Sequence, residues 1–227
     1  MSTHLKDRQA ILLSHPQQWQ IATWDDYIAL RDGDEIEHIR LFFDEGWLWL
    51  EMGGEGINHA SVTNLFTMLI AFWKQLQPEQ TLTSLGGCQL EKAGKKASAP
   101  DLVIYAGDRV PRWEAGQRRF INLDQVRVPD LVGEISDTTL ATDLDEKKQL
   151  YASLGIPEYW VIDVKGRQVL AFQLQHSGSY QACDVSQVLP GLPIALLEQT
   201  VERLATEANT DAALWFSQQI ATLETKA

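Results

Sequence analysis

The alternation of apolar and polar positions in the first quarter of the chain predicts a short helix followed by a hairpin. The stretch Thr23–Leu30 is typical of a helix that Thr23 caps, because acidic residues occupy its first turn. Two strands, Glu35–Phe43 and Trp47–Met52, flank the turn-forming residues Asp44–Gly46. This part of the chain is therefore expected to begin a sheet.

Longer patterns follow. Apolar residues recur at helical spacing from Asn58 to Gln77, which predicts a helix that packs on a sheet. The run Asp130–Ser136 reads as a buried strand, and Ala141–Leu154 as one helix that ends before Gly155. The tail, Ala195–Leu223, is predicted to be helical with a break near residues 208–210. Further short strands are predicted at Cys88–Leu90, Asp101–Tyr105, Glu158–Asp163, Arg167–Gln175 and Ser179–Val185.

This order of helices and strands predicts a mixed α/β fold, in which helices flank a mixed sheet within a single domain. Residues 1–22 are expected to form an N-terminal extension and residues 23–190 the core of the domain. Residues 191–227 are expected to form a C-terminal helical tail.

The composition is that of an ordinary globular protein. The 227 residues are 44% hydrophobic and 22% charged, which excludes the disordered and fibrous classes. No apolar run approaches the roughly 20 residues that a bilayer span requires, and the opening residues lack the apolar core of a signal peptide. Two cysteines without CxxC spacing indicate a reducing compartment rather than a zinc site. A cytoplasmic protein with no membrane partner is expected.

The charge of the chain is uneven. A formal net charge of −12 argues against a protein that coats nucleic acid non-specifically. The segment Lys92–Arg127 nevertheless carries +4, because it holds eight basic and four acidic residues. Its basic residues are Lys92, Lys95, Lys96, Arg109, Arg112, Arg118, Arg119 and Arg127. This segment is either a solvated loop or a surface that contacts phosphates.

A glutamate in the middle of a predicted buried strand is the first sign of chemistry. Glu134 has apolar neighbours on both sides, and a buried carboxylate is unfavourable unless it is paired or binds a metal. Asp101 follows Pro100 and opens another apolar strand. Two carboxylates on adjacent strands, with water in the remaining positions, suit Mg²⁺. The residues therefore predict a metal site at Asp101 and Glu134.

A lysine close to such a site can position a water molecule or offset the charge of a phosphoryl transition state. Because Ser136 occupies the second position after the buried glutamate, the lysine must come from the following helix, which offers Lys147 and Lys148. Asp143, Lys147 and Tyr151 share one helix face at i, i+4 and i+8. Lys148 is rotated from that face by about 100°. The spacing favours Lys147, with Tyr151 expected as a packing residue.

Four stretches carry a resemblance to a known family: "LEMGGEGINHASVTNLF", "PDLVIYAGD", "PDLVGEISDTT" and "YASLGIPEYWVID". Together they lie within Trp24–Gln175 and resemble the Uma-two family of restriction endonucleases, which is part of the PD-(D/E)xK nuclease superfamily. In that family the lysine migrates from the strand to the helix. The resemblance implies the restriction-endonuclease-like fold and a nuclease activity on DNA.

The resemblance also implies roles for five residues. Asp101 and Glu134 correspond to the acids that bind Mg²⁺ or Mn²⁺, and Lys147 corresponds to the migrated lysine. Glu51 and His59 would be accessory residues at the mouth of the site.

Three functions remain open at this point. The first is a metal-dependent endonuclease that hydrolyses DNA as a homodimer, because two symmetric sites suit the cleavage of a duplex. The second is a catalytically silent module on the same fold that binds nucleic acid or protein. The third is a structural dimer scaffold.

Overall fold

The computed structural model of the chain describes residues 3–33, 39–52 and 56–224. The helices of this described part are α1 (Thr3–Leu13), α2 (Trp24–Arg31), α3 (Ile57–Leu76), α4 (Leu140–Leu144), α5 (Glu146–Leu154), α6 (Ile194–Arg203) and α7 (Asn209–Glu224). Its strands are β1 (Gln20–Ile21), β2 (Ile39–Asp44), β3 (Trp47–Met52), β4 (Leu82–Gly86), β5 (Leu90–Lys92), β6 (Lys96–Ser98), β7 (Leu102–Ala106), β8 (Ile121–Asn122), β9 (Leu131–Ser136), β10 (Glu158–Asp163), β11 (Gln168–Leu174) and β12 (Tyr180–Ala182). The mixed α/β class predicted from the sequence is confirmed.

The chain forms two compact units, and it passes between them several times. Unit 1 takes in Met1–Gly54, Cys88–Ala99 and Pro111–Arg127. Unit 2 takes in Glu55–Gly87, Pro100–Val110 and Val128–Ala227. Each unit has its own six-stranded sheet and its own apolar core.

The sheet of unit 1 has the strand order β1-β3-β2-β6-β5-β8 and is antiparallel except for the pair β5 and β8. Its central hairpin pairs Asp44 with Trp47 and contains the predicted turn. Residues 35–38 of the predicted first strand lie outside the described residues. The capping box at the start of α2 is also present, because Thr23 Oγ1 accepts from Asp26 N and Asp26 Oδ2 accepts from Thr23 N.

The sheet of unit 2 has the strand order β12-β11-β10-β9-β7-β4, and its parallel pair is β9 and β10. Parallel neighbours require a crossover connection, which α4 and α5 provide here. Helices α3, α6 and α7 form one apolar core with alternate residues of the strands, among them Leu131 and Ile135 of β9. Helix α3 is the long amphipathic helix expected from the sequence, and no helix of the described part is long and apolar enough to cross a membrane.

The prediction of one continuous helix over Ala141–Leu154 was wrong. The helix is interrupted at Asp145, whose φ of −119° and ψ of −87° lie outside the helical region, so that α4 and α5 are separate. Aspartate competes with helical structure because its side chain bonds to nearby groups. Here Asp145 Oδ1 accepts a hydrogen bond of 2.6 Å from Gln149 Nε2.

Five elements were not predicted, and one strand was misplaced. Helix α1 lies within the predicted N-terminal extension, and the unpredicted strands are β1, β4, β6 and β8. Among the described residues, β4 is an edge strand that pairs with β7. The strand predicted at Cys88–Leu90 begins instead at Leu90. Short strands such as β4 have little local signal, because long-range pairing rather than sequence period determines them.

The end of α5 gives a first testable prediction. Gly155 has φ of +77°, a left-handed conformation that disfavours a residue with a Cβ. Nothing lies within 4 Å of the position that a Cβ would take. Gly155→Ala should therefore reduce the free energy of unfolding by about 1–2 kcal/mol through the backbone alone, as measured by urea denaturation. The control Gly86→Ala lies in β4, and the nearest atom to its new Cβ would be at 3.6 Å, an ordinary contact. It should change the free energy of unfolding by less than about 0.5 kcal/mol, and equal values for the two variants would contradict the prediction.

Candidate functional site

Glu134 lies in the middle of unit 2's sheet. Every residue of β9 is buried, and Glu134 itself is 1% exposed. Because side chains alternate along a strand, its neighbours in the chain, Gly133 and Ile135, face the core that contains α3. Glu134 points to the opposite face, where it meets α5.

Lys147 is the cation that accompanies this glutamate. Its Nζ lies 3.3 Å from Glu134 Oε2 and 2.8 Å from Asp143 Oδ1, and the side chain is inaccessible to solvent. The i, i+4 relation between Asp143 and Lys147 persists although the helix is interrupted between them. A buried ammonium between two buried carboxylates compensates part of their desolvation. The formal charge of these three side chains remains −1.

Two tyrosines complete the surroundings of the buried charges. Tyr151 Oη donates a short hydrogen bond to Glu134 Oε1, so this residue does more than pack. Tyr159 Oη donates to the carbonyl oxygen of Asp143 at 2.8 Å. Burial raises the pKa of Tyr159 well above its usual range, and the charges of Glu134 and Asp143 raise it further. The hydroxyl of Tyr159 thus stays protonated in a negative field.

Asp101 lies at the start of the neighbouring strand, β7. It directly precedes β7, in which Leu102 pairs with Gly133, so that the next positions along the two strands are Asp101 and Glu134. Asp101 Oδ2 accepts a hydrogen bond of 2.7 Å from Ile135 N. The register therefore puts Asp101 next to Glu134 in the sheet, one residue beyond the paired end of β7.

His59 reaches Asp101 from the first turn of α3. Its Nε2 lies 3.2 Å from Asp101 Oδ1, and its Nδ1 lies 3.4 Å from Thr63 Oγ1. His59 is 9% exposed and Asp101 5%. Asp101 and Ile135 also line a cavity of about 140 Å³ together with Thr63 of α3, so Asp101 reaches the α3 side of the sheet, whereas Glu134 meets α5. Asp101 is thus the acid of the pair that borders open space in unit 2.

One residue near Glu134 was not predicted from the sequence to have a functional role. Ser136, at the second position after Glu134, is 1% exposed, and its Oγ has no hydrogen-bond partner among the residues that the structure describes. Asp143 Oδ1 also lacks an aligned hydrogen bond there, although Lys147 Nζ is near it. Buried polar atoms are normally satisfied by protein, water or an ion. Strand alternation, which places Ser136 on the face of Glu134, was the available signal.

The donor set fits a divalent cation of the hard class. Within the described residues no group of three or more histidine, cysteine or acidic side chains could hold a metal ion. Mg²⁺ does not require such a group, because one or two carboxylates suffice when water and substrate supply the other ligands. Asp101 and Glu134 are two carboxylates of this kind, and the formal charge of Glu134, Asp143 and Lys147 together is −1.

Glu51, the other predicted accessory residue, lies on β3 in unit 1. Its Oε2 is 3.1 Å from Arg40 Nη1, and its Oε1 accepts from Trp49 Nε1 at 3.3 Å. The proposed accessory role of Glu51 stays a prediction.

Comparisons with known proteins agree with the fold. The model of the family Uma2, described as "Putative restriction endonuclease", matches residues 24–207. A solved structure with a similar fold is that of a protein from Anabaena variabilis described as "a putative nuclease belonging to DUF820". The two structures share 16% sequence identity and a TM-score of 0.53, over 79% of this chain and 99% of that chain. No curated protein matches. The predicted nuclease-like fold is confirmed.

Proposed function

Because the chain belongs to the Uma2 family, which is described as "Putative restriction endonuclease", we propose that it is a metal-dependent endonuclease that hydrolyses the phosphodiester bonds of DNA. The observation that carries this proposal is the position of Lys147 Nζ, 3.3 Å from Glu134 Oε2, with Asp101 directly before the adjacent strand. Two acids can bind a divalent ion, and a lysine can offset the charge of a phosphoryl transition state.

The proposed ligands of Mg²⁺ or Mn²⁺ are Asp101 and Glu134. When bound, such an ion would polarise a phosphoryl oxygen and lower the pKa of a coordinated water molecule. Asp101 is held for this role by Ile135 N and by His59 Nε2. Glu134 is held by the hydroxyl of Tyr151. Both carboxylates are therefore oriented before any ligand arrives.

Lys147 is proposed to position the attacking water molecule and to offset the charge that develops on the phosphoryl group. Asp143 fixes the ammonium of Lys147 from its other side, at 2.8 Å. The unpartnered hydroxyl of Ser136 adds a polar atom that can hydrogen-bond water on the same face. We therefore propose positioning roles for Asp143 and Ser136.

The addition of metal is the direct test of this proposal. Mn²⁺ or Mg²⁺ should raise the unfolding temperature, since a ligand that binds only the native state stabilises it by about 2.7 kcal/mol at 100 times its Kd. EDTA should reverse the shift. The same ions should support cleavage in an assay that compares duplex DNA, single-stranded DNA and RNA. An unfolding temperature that does not respond to either ion, together with intact nucleic acids, would contradict the proposal.

The alternative is a catalytically silent module that binds nucleic acid or protein. The observation in its favour is that Glu134 and Lys147 are almost completely buried and already pair with each other. In such a module the charged cluster would only fix α5 on the sheet. It would then give neither a metal-dependent unfolding temperature nor cleavage.

The assembly and location of the protein are also proposals. A homodimer would give two sites related by symmetry, as the cleavage of both strands of a duplex requires. A cytoplasmic location would expose these sites to DNA. Both follow from the proposed activity and from the sequence.

A further inference from the structure

An exposed tryptophan of unit 1 is held in a fixed position. The side chain of Trp113 is 59% exposed, in the connection that precedes β8. Its Nε1 donates a hydrogen bond of 3.0 Å to Gln117 O, and Gln117 N donates to Glu114 O at 3.0 Å. A large apolar ring is normally covered. A ring that is both exposed and ordered is suited to contact a ligand.

Arginines lie beside this ring. The guanidinium of Arg119 lies 5.9 Å from the centroid of the Trp113 ring. Arg119 also lines a groove of about 550 Å³ in unit 1, together with Arg31, Arg118 and Phe120. This volume falls in the range of pockets that hold a small organic ligand. The face of the Phe120 ring is itself covered by the guanidinium of Arg31, at 5.2 Å from the centroid.

Two of these arginines already bind an anionic group. Arg31 Nε is 2.8 Å from Asp32 Oδ1, and Arg118 Nη1 is 2.9 Å from Asp32 Oδ2. Two guanidinium groups that converge on one carboxylate have an arrangement that also suits a phosphate. The charged side chains that line the groove, together with Glu91, which pairs with Arg31 at 2.7 Å, have a formal charge of +1, in a protein of −12.

We propose that unit 1 binds an unpaired strand of nucleic acid, with a base stacked on Trp113 and phosphates at Arg118 and Arg119. Stacking on an exposed ring requires a base whose face is free, which a duplex does not offer along its length. The guanidinium groups of Arg118 and Arg119 attract the phosphate backbone of the bound strand. The choice of nucleic acid as the ligand rests on the proposed function. The preference for an unpaired strand rests on Trp113.

The test measures binding without cleavage. Fluorescence anisotropy of a labelled oligothymidylate of about twelve nucleotides is followed in EDTA with the Asp101→Asn protein. A closed DNA hairpin and free thymidine monophosphate serve as competitors. The oligothymidylate should bind more tightly than the hairpin. If thymidine monophosphate displaces the labelled oligothymidylate as well as unlabelled oligothymidylate does at the same phosphate concentration, the site binds single nucleotides, and the strand proposal is overturned.

Variants of the ring distinguish stacking from general attraction. Trp113→Ala should weaken binding of the oligothymidylate by about five- to a hundredfold, the usual effect of losing one stacked base. Trp113→Phe should retain most of the affinity. The matched control is Trp47→Ala, which removes another exposed tryptophan of unit 1, 48% exposed, and should leave the affinity unchanged. Equal losses for Trp113→Ala and Trp47→Ala would overturn the proposal.

Variants of the groove test the phosphate contacts. Arg118→Gln and Arg119→Gln should each reduce the slope of log affinity against log salt concentration by about 0.7. Asp32→Asn should tighten binding, since it removes the carboxylate that competes with a phosphate. Arg112→Gln, an exposed arginine of the same segment outside the groove lining, is the control and should leave the slope unchanged.

The two proposals fail in different ways. A protein that binds the oligothymidylate through Trp113 but cleaves nothing overturns the endonuclease proposal only. A protein that cleaves DNA while Trp113→Ala binds normally overturns the strand proposal only. Unfolding temperatures of the variants should match that of the parent protein, because the altered side chains are largely exposed.

Discussion

Asp101→Asn is expected to reduce metal-dependent cleavage by well over the roughly hundredfold that loss of an outer-shell partner typically causes. The amide preserves the size of the side chain and can still accept the hydrogen bond that Ile135 N donates at 2.7 Å. The negative charge is lost, and with it half of the proposed pair of metal ligands. The variant should therefore fold but lose both cleavage and the rise in unfolding temperature that Mn²⁺ causes.

A matched control exists in the same sequence context. Asp130 also follows a proline, and its Oδ2 accepts a hydrogen bond from Ala106 N at the end of β7. Asp130→Asn should retain a cleavage rate within a few-fold of that of the parent protein. The Asp130 carboxylate bonds to the backbone of β7 and has no proposed role as a metal ligand. Equal activities of Asp101→Asn and the parent protein would exclude Asp101 as a ligand. Equal losses in the two variants would indicate a structural effect.

Lys147→Met is expected to destabilise the fold strongly. Methionine has a similar length but no charge, so that Glu134 and Asp143 become buried carboxylates without their cation. Removal of one partner from a buried ion pair typically reduces the free energy of unfolding by about 3–5 kcal/mol. Urea denaturation should show this loss, and the activity of the folded fraction should also fall.

The adjacent lysine provides the control. Lys148 Nζ lies 3.6 Å from the centroid of the Phe172 ring, and burial lowers the pKa of Lys148. Lys148→Met should change the free energy of unfolding by less than about 1 kcal/mol. In the double variant Lys147→Met with Glu134→Gln, part of the lost stability should return, because one uncompensated charge is removed. A loss of less than about 1 kcal/mol in Lys147→Met would show that Lys147 does not compensate the carboxylates.

Local patterns predicted the elements that hold the site. The buried run of β9 identified Glu134 as a carboxylate that needs a partner, and helical spacing favoured Lys147 over Lys148. The structure places Lys147 beside Glu134, with Lys148 over an aromatic ring instead. These inferences succeeded because burial and periodicity depend mainly on neighbouring residues. The catalytic roles themselves stay predictions.

Features that depend on contacts between distant segments could not be predicted from local sequence patterns. The division of the strands between two sheets depends on pairings between distant segments. The spacing of apolar residues along the chain does not reveal these pairings. The hydrogen bond from Tyr151 to Glu134 depends on how α5 is placed over β9, and so does the lack of a partner for Ser136 Oγ. The interruption at Asp145 was missed because a helical pattern continues on both sides of it.

The crossover between β9 and β10 also bears on how the charged cluster assembles. Lys147 is 13 residues from Glu134 in the chain, and Tyr151 is 17 residues from it, whereas Asp101 bonds to Ile135 across 34 residues. Closing a longer loop loses more chain entropy. We therefore expect a refolding chain to form the ion pair early and to bring Asp101 beside Ile135 only when β7 docks. In that order, Glu134, Lys147 and Tyr151 would assemble within a nearly local segment before Asp101 is added.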